Sequence, residues 1–285
     1  MRRVSIRVLS AALLFSLAVL AFQSELLLAA DLSPRTVEGF ERYVKAAEAR
    51  MARGKHSRGD FLYIEQLPKT RYEAVMEMLK QNGTWIERLR VRDASGHVID
   101  VPDGMVHHWI GVTFIPGKSL ASALNVLRDF QDYKNIYQPQ VIRSQVISHQ
   151  DDHYKTYMRL QQKTGVSVTF DTWYDIRLGQ LDQTHGYSNS HSTRIQQVED
   201  AGTPQEHLEP VGHDSGYLWR INSYWRCEER KSGVIIEWES IALSRPIPPI
   251  IAWFVRPLVR RIARESVNNM LTATRKAMLA EKNAR

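Results

Sequence analysis

The chain has 285 residues, 43% of them hydrophobic and 24% charged, and a net charge of +7. That balance excludes a disordered or collagen-like chain and fits a globular protein with a sizeable core. A lone cysteine, Cys227, excludes an internal disulfide, and no stretch interleaves basic and aromatic residues as a nucleic-acid site does.

Residues 1–30 read as a secretory signal peptide. Arg2, Arg3 and Arg7 precede an apolar run from Val8 to Phe22, and Ala29-Ala30 offers small residues for cleavage. Leu28 stands where a small residue is preferred, so an uncleaved anchor is the alternative. The expected location is periplasmic or secreted. Residues 33–56 predict an amphipathic helix, capped by Ser33, with Pro34 in its first turn and Gly54 near its end. "FLYIEQ" at 61–66 reads as a short strand. A second helix is predicted over 69–81, with Tyr72, Val75, Met76 and Leu79 as its stripe, and "TWIERLRV" reads as a strand. Residues 31–104 thus make an N-terminal extension of mixed helix and strand.

"MVHHWIGVTFIPG" predicts a strand ending at Pro116-Gly117, followed by one or two short helices bearing Leu120, Leu124, Leu127 and Phe130. Period-two strands run from there to residue 243. Val166, Val168, Phe170, Thr172, Tyr174, Ile176 and Leu178 alternate against Asp171, Asp175 and Arg177, the pattern of an antiparallel sheet with one wet face. In the more polar "GYSNSHSTRIQQV" the expected inner set is Tyr187, Asn189, His191, Thr193 and Ile195. Trp219, Ile221, Ser223, Trp225 and Cys227 form the next inner set, and Val234, Ile236, Trp238, Ser240 and Ala242 the last. Lys231-Ser232-Gly233 turns the hairpin, and the outer arginines and glutamates can meet across it. After Ser244 the chain becomes helical. Pro257 fits a first turn, Val259, Ala263, Val267, Met270, Leu271, Thr274 and Met278 form a stripe, and Arg256, Arg260 and Arg264 share another face.

Familiar chemical motifs fail on spacing or placement. "GVTFIPGKS" separates Gly111 from Gly117 by five residues, not the four of a phosphate loop, so it reads as a strand end and a helix cap at Ser119. His149 and His153 are four apart but lie between strands, not on a helix. His107 and His108 are adjacent on a strand and face opposite ways. Neither a metal nor a cofactor is expected. Cys227 reads as a small buried hydrophobe.

The segment "YLWRINSYWRCEERKSGVIIEWESIALSRPIP", followed by "RPLVRRIARESVNNMLTATRKAM", resembles the last two strands and gripping helix of the START-like, or SRPBCC, superfamily in its exported bacterial form. "VLRDFQDYKNIYQPQVIRSQVI" resembles the first helical pair of that family. The resemblance covers roughly residues 105–280 and implies an α+β helix-grip fold over residues 105–285. A curved antiparallel sheet would wrap a long C-terminal helix and enclose an apolar cavity. The implied partner is a hydrophobic small molecule or lipid. The candidate cavity lining is Trp109, Phe170, Tyr174, Tyr187, Asn189, His191, Trp219, Trp225, Trp238, Trp253 and Phe254, with Tyr174, Asn189 and His191 as polar handles.

Fold does not fix function. The missing catalytic constellation favours a carrier or sensor, with a cyclase or hydratase using Tyr174 or His191 as the alternative. In a third reading, an interaction protein, the fold is filled by its own side chains. "IPPIIAWFV" is too short to span a bilayer, which needs about 20 apolar residues. It is expected to enter the gripping helix at one end of the cavity. Trp253 and Phe254 would be partly exposed at the cavity mouth, and the arginines after them would face an anionic membrane.

Overall fold

The computed structural model describes residues 30–55, 60–163 and 167–280. The predicted leader, apart from Ala30, and Val166 lie outside these residues. A short strand β1 (Ala30–Asp31) is followed by helix α1 (Pro34–Lys55). Ser33 caps α1 as its position predicts, its Oγ accepting from the Thr36 N–H at 3.1 Å. "FLYIEQ" is not a strand. Tyr63–Gln66 form a 3₁₀ turn whose Glu65 side chain accepts from the Leu62 N–H. Helix α2 (Lys69–Lys80) leads to strand β2 (Thr84–Arg88).

Strand β3 (Met105–Pro116), helices α3 (Leu120–Arg128) and α4 (Tyr133–Ile136), and strands β4 (Val141–Gln150), β5 (His153–Gln162), β6 (Val168–Gln180) and β7 (His185–Glu199) follow. Two-residue strands β8 (His207–Leu208) and β9 (His213–Asp214) precede the hairpin of β10 (Arg220–Arg230) and β11 (Gly233–Ser244). Helix α5 (Pro249–Ala280) ends the described chain. Among the described residues no helix is long and apolar enough to cross a membrane.

The large antiparallel sheet has the order β2-β3-β11-β10-β7-β6-β5-β4, with β8 added at the end of β7. The chain crosses from β3 through the whole β4–β7 meander before β11 returns beside β3. This order leaves an inner face against α5 and an outer face on the other side. The strand β2 of the N-terminal extension is an edge strand of the same sheet.

Period two decides which residues face α5. On β3 the odd positions do. A Cβ on Gly111 would stand 2.5 Å from Val267 Cγ1 and 2.6 Å from Leu271 Cδ1 of α5, so only glycine admits the helix this close. The even positions His108, Ile110 and Val112 face outward. The inner core joins Leu120, Leu124 and Leu127 of α3 to Tyr133 of α4, Ile176 and Leu178 of β6, Trp225 and Cys227 of β10, Ile236 and Trp238 of β11, and Leu271 and Met278 of α5.

Over β3, β10 and β11 the outer face is covered, whereas on β6 Arg177 is exposed, as the alternation predicts. Phe40, Tyr43, Val44, Ala47 and Met51 of α1 pack on Tyr224, Ile241 and Leu243. Phe61, Leu62, Ile64, Val75 and Leu79 pack on Val112 and Ile235. The arginine and glutamate of the β10–β11 hairpin do oppose each other, Arg226 across from Glu237. They do so buried, beneath residues of the extension.

Helix α5 begins earlier than Pro257 suggests. Pro249 occupies its first position, where no amide hydrogen is needed. Pro257 lies inside the helix. Its 32 residues give a length of about 48 Å at ~1.5 Å per residue.

Candidate functional site

Between α5 and the inner face of the sheet lies a cavity of about 230 Å³. Phe170 and Tyr174 of β6, Trp225 of β10 and Trp238 of β11 line it, together with Met158 and Leu160 of β5. The α3–α4 segment contributes Phe130, Tyr133 and Tyr137, and α5 contributes Ser266 and Met270. Trp225 and Trp238 are direct cross-strand partners with ring centroids 5.7 Å apart.

The polar lining is uncharged. Ser188, Ser190 and Ser223 come from the sheet, and Gln140, Gln161 and Gln162 from one end. No Asp, Glu, His, Lys or Arg lines the cavity among the described residues. Its tyrosines are held neutral: burial pushes the Tyr174 hydroxyl up to about 12, and the same cause raises Tyr133 and Tyr137. The Tyr137 hydroxyl is 3.0 Å from Thr274 Oγ1, and Tyr133 donates to the Leu127 carbonyl at 2.9 Å. The indole N–H of Trp238 is buried and has no hydrogen-bond partner among the described residues. A buried donor left without an acceptor costs about 1–3 kcal/mol.

One end of the cavity opens into a small outer pocket that shares Gln140, Gln161, Gln162 and Ser266 with it. Gln140 Nε2 donates to Ser266 Oγ at 3.3 Å, linking the α4–β4 connection to α5. Sequence reasoning missed this glutamine boundary. Three glutamines on two separate segments carry no periodic signal; only the pairing of β5 with the approach to β4, through Gln161 N–H to Gln140 O at 2.8 Å, brings them together.

The other candidates lie elsewhere. Tyr187, Asn189 and His191 point to the outer face, because β7 carries a bulge. Arg194 pairs with Trp173, but Ser192 pairs with Tyr174, so Thr193 is the extra residue. The bulge reverses parity. Counting back from Ile195 selects the odd residues, whereas Ser188 and Ser190 reach the cavity. Tyr187 covers Gly179 on the opposite strand, and His191 Nε2 meets Glu48 of α1 at 2.6 Å. Trp219 precedes β10 and packs in the outer core. Trp109 does face α5, but it lines a separate cavity between β2, β3 and the first half of that helix. Trp253 is 79% exposed and lines none of these cavities. The Phe254 side chain lies outside the described residues. His149 and His153 are engaged apart, on the Tyr154 ring and on Asp175.

Ser119 caps α3, accepting from the Ser122 N–H as the sequence reading requires. Cys227 is fully buried, and burial pushes its thiol up to about 12.

No protein-family model and no curated protein matches the sequence. Solved structures do. The STAR-related lipid transfer protein of Xanthomonas axonopodis is similar with a TM-score of 0.43 at 16% identity, over 67% of this chain and 98% of that one. A START superfamily protein of Mycobacterium smegmatis is similar with a TM-score of 0.40 at 10% identity, over 63% of this chain and 99% of that one. A truncated norcoclaurine synthase of Thalictrum flavum gives 0.39 at 10% identity, over 65% and 100%. What decides the fold is the strand order and the helix held against the sheet in this chain. It is a START-like helix-grip fold. A fold does not fix a function, so the choice between carrier and enzyme rests on the cavity itself.

Proposed function

We propose that the chain binds a small hydrophobic ligand in the cavity beneath Trp225 and Trp238, and acts outside the cytoplasm as its carrier or sensor. The observation that carries this reading is an apolar cavity walled by aromatic side chains, whose polar lining among the described residues is uncharged. A ligand carbonyl, carboxyl or hydroxyl oxygen would meet Ser188, Ser190 or Ser223, and the ligand's apolar part would lie on the aromatic wall. The volume sets the scale. About 230 Å³ exceeds the ~150 Å³ of an apolar cavity that takes up benzene. It falls below the ~300–1,000 Å³ usual for drug-sized ligands. A one- or two-ring molecule or a medium-length acyl chain suits it, and a whole diacyl lipid does not.

The alternative of a cyclase or hydratase has less support. General acid–base work needs a group poised near the working pH and a second group converging on the substrate. His191 serves Glu48 on the other face, and burial holds Tyr174 protonated at neutral pH. Export rests on the leader alone. A peripheral contact with an anionic membrane is supported by Ile250 and Trp253, each 79% exposed at the start of α5, ahead of the arginines.

The test is a binding panel of monocyclic and bicyclic aromatics and medium-chain fatty acids, measured on the delipidated full chain and on Ser188→Ala/Ser190→Ala. Saturable binding is expected, with oxygen-bearing ligands weakened about tenfold by the double variant (~1.4 kcal/mol) and pure hydrocarbons unaffected. Absence of saturable binding across the panel, or equal weakening of both ligand kinds, would contradict the reading.

A further inference from the structure

A second cavity, of about 280 Å³, lies on the other flank of α5, against β2 and β3. Trp109 and His107 of β3 line it, and so do four arginines: Arg88, Arg90, Arg256 and Arg260. Arg88 is the cross-strand partner of Trp109 at the end of β2, and Arg90 lies two residues beyond it. Arg256 and Arg260 are one helical turn apart on α5. Two segments far apart in sequence therefore bring cationic side chains to one concave place floored by a third.

These arginines differ from the paired arginines of the fold. Arg50, Arg159, Arg226 and Arg230 each have a carboxylate partner, and Arg261, next to Arg260, pairs with Glu265 at 2.8 Å. Among the described residues Arg88, Arg90, Arg256 and Arg260 form no ion pair, and no acidic side chain lines their cavity. Four solvated arginines on an open helix face would be unremarked. Here the strand arginine Arg88 is half-buried, and its guanidinium is held below its usual basicity by burial and then by Arg90, Arg260 and Arg256. The cluster is a concentration of unbalanced charge.

His107 does not act as a fifth charge. Its ring is pushed down to about 4 by burial and by Arg88. Ser244 Oγ donates to the Arg245 carbonyl at 3.0 Å, so at 2.8 Å it accepts from the His107 Nε2–H. His107 is a neutral part of the floor.

We propose that this cavity is a binding site for a phosphoryl group, clamped between Arg88 and Arg90 on one side and the α5 arginines on the other, over Trp109. Guanidinium forks bind phosphate oxygens in pairs, and four of them without a carboxylate match a doubly charged or polyphosphate anion better than a carboxylate. A soluble phosphorylated molecule and a phospholipid headgroup present the same chemistry to the site. The proposal is independent of any ligand in the apolar cavity.

The full chain is titrated with pyrophosphate at low ionic strength, where such contacts are least screened. It is also floated with phosphatidylcholine vesicles with and without phosphatidic acid. Both are repeated on Arg256→Gln/Arg260→Gln, on Arg90→Gln as a single exposed change, and on Arg261→Gln/Arg264→Gln, which removes as much charge from neighbouring positions. Pyrophosphate binding at one site, weakened about tenfold by the first double variant and by Arg90→Gln but not by the control, is the expected result for a soluble ligand. Phosphatidic acid-dependent flotation with the same variant pattern, and no pyrophosphate binding, assigns the site to a headgroup. The proposal is overturned if neither probe binds, or if the control double variant weakens binding as much as Arg256→Gln/Arg260→Gln does.

Discussion

Glu237 and Glu239 are two residues apart on β11 and face the same covered side of the sheet, yet burial acts on them oppositely. Glu239 accepts from Arg50 and, at 2.6 Å, from His108 Nε2. His108 Nδ1 in turn accepts from the Tyr43 hydroxyl, which accepts from the Val91 N–H. Arg50 and this chain overcome desolvation and hold the Glu239 carboxyl down at about 2. Glu237 accepts from the Tyr63 N–H and stands 3.6 Å from Arg226. Desolvation wins there and pushes Glu237 up to about 7.

The stability consequences have opposite signs. The contribution of Glu239 is present above the ordinary value of 4.5 and is lost as pH falls toward 2. That of Glu237 is present below 4.5 and is lost as pH rises through 7. Glu239→Gln is therefore expected to lower stability at pH 7, toward the about 3–5 kcal/mol typical of breaking a buried pair. Glu237→Gln is expected to melt no lower than the parent at pH 8. Thermal melts from pH 4 to pH 8 check this, and a reversed order of the two variants at pH 8 would refute the assignment.

At the scale of elements, most strands and helices are legible because burial on one face imposes period 2 or 3.6 on the sequence. The inner set of β6 and the β10–β11 hairpin follow from alternation alone. Three features do not. The bulge at Thr193 is a matter of pairing, and no residue type announces it, so parity on β7 fails before it and holds after it. The early start of α5 turns on whether Pro249 or Pro257 is the first-turn proline, and both fit the rule. The covered outer face carries Arg226, Glu237 and Glu239, which read as solvated until α1 is placed over them.

The N-terminal extension is thus part of the sheet's packing. It supplies β2, and it covers Tyr224, Ile235 and Ile241. A chain beginning at residue 105 would expose those apolar side chains together with unpaired buried charges. It is expected to be insoluble or to unfold without a cooperative transition, whereas residues 31–285 melt cooperatively. Circular dichroism melts of the two chains decide it, and a cooperative transition for 105–285 would show that the extension is dispensable.

At the scale of the whole molecule, one long helix divides the inner face of a single sheet into two unlike spaces. On one side Trp238 borders an uncharged, aromatic cavity. On the other, Trp109 floors a cavity edged with arginines. The sequence announces the first through its aromatic strand positions: Phe170, Tyr174, Trp225 and Trp238 all reach it. The second is invisible to periodicity, because Arg88 and Arg260 are 172 residues apart and meet only when β2 joins the sheet edge.

The most direct test of the central claim fills the apolar cavity from within. Ser223, on its wall between Ile221 and Trp225, is replaced by phenylalanine, and the tightest ligand of the binding panel is titrated into both proteins by calorimetry, with thermal melts alongside. The account predicts that Ser223→Phe melts close to the parent and binds at least about tenfold more weakly. Unchanged affinity in a well-folded Ser223→Phe protein would place the ligand elsewhere and contradict it.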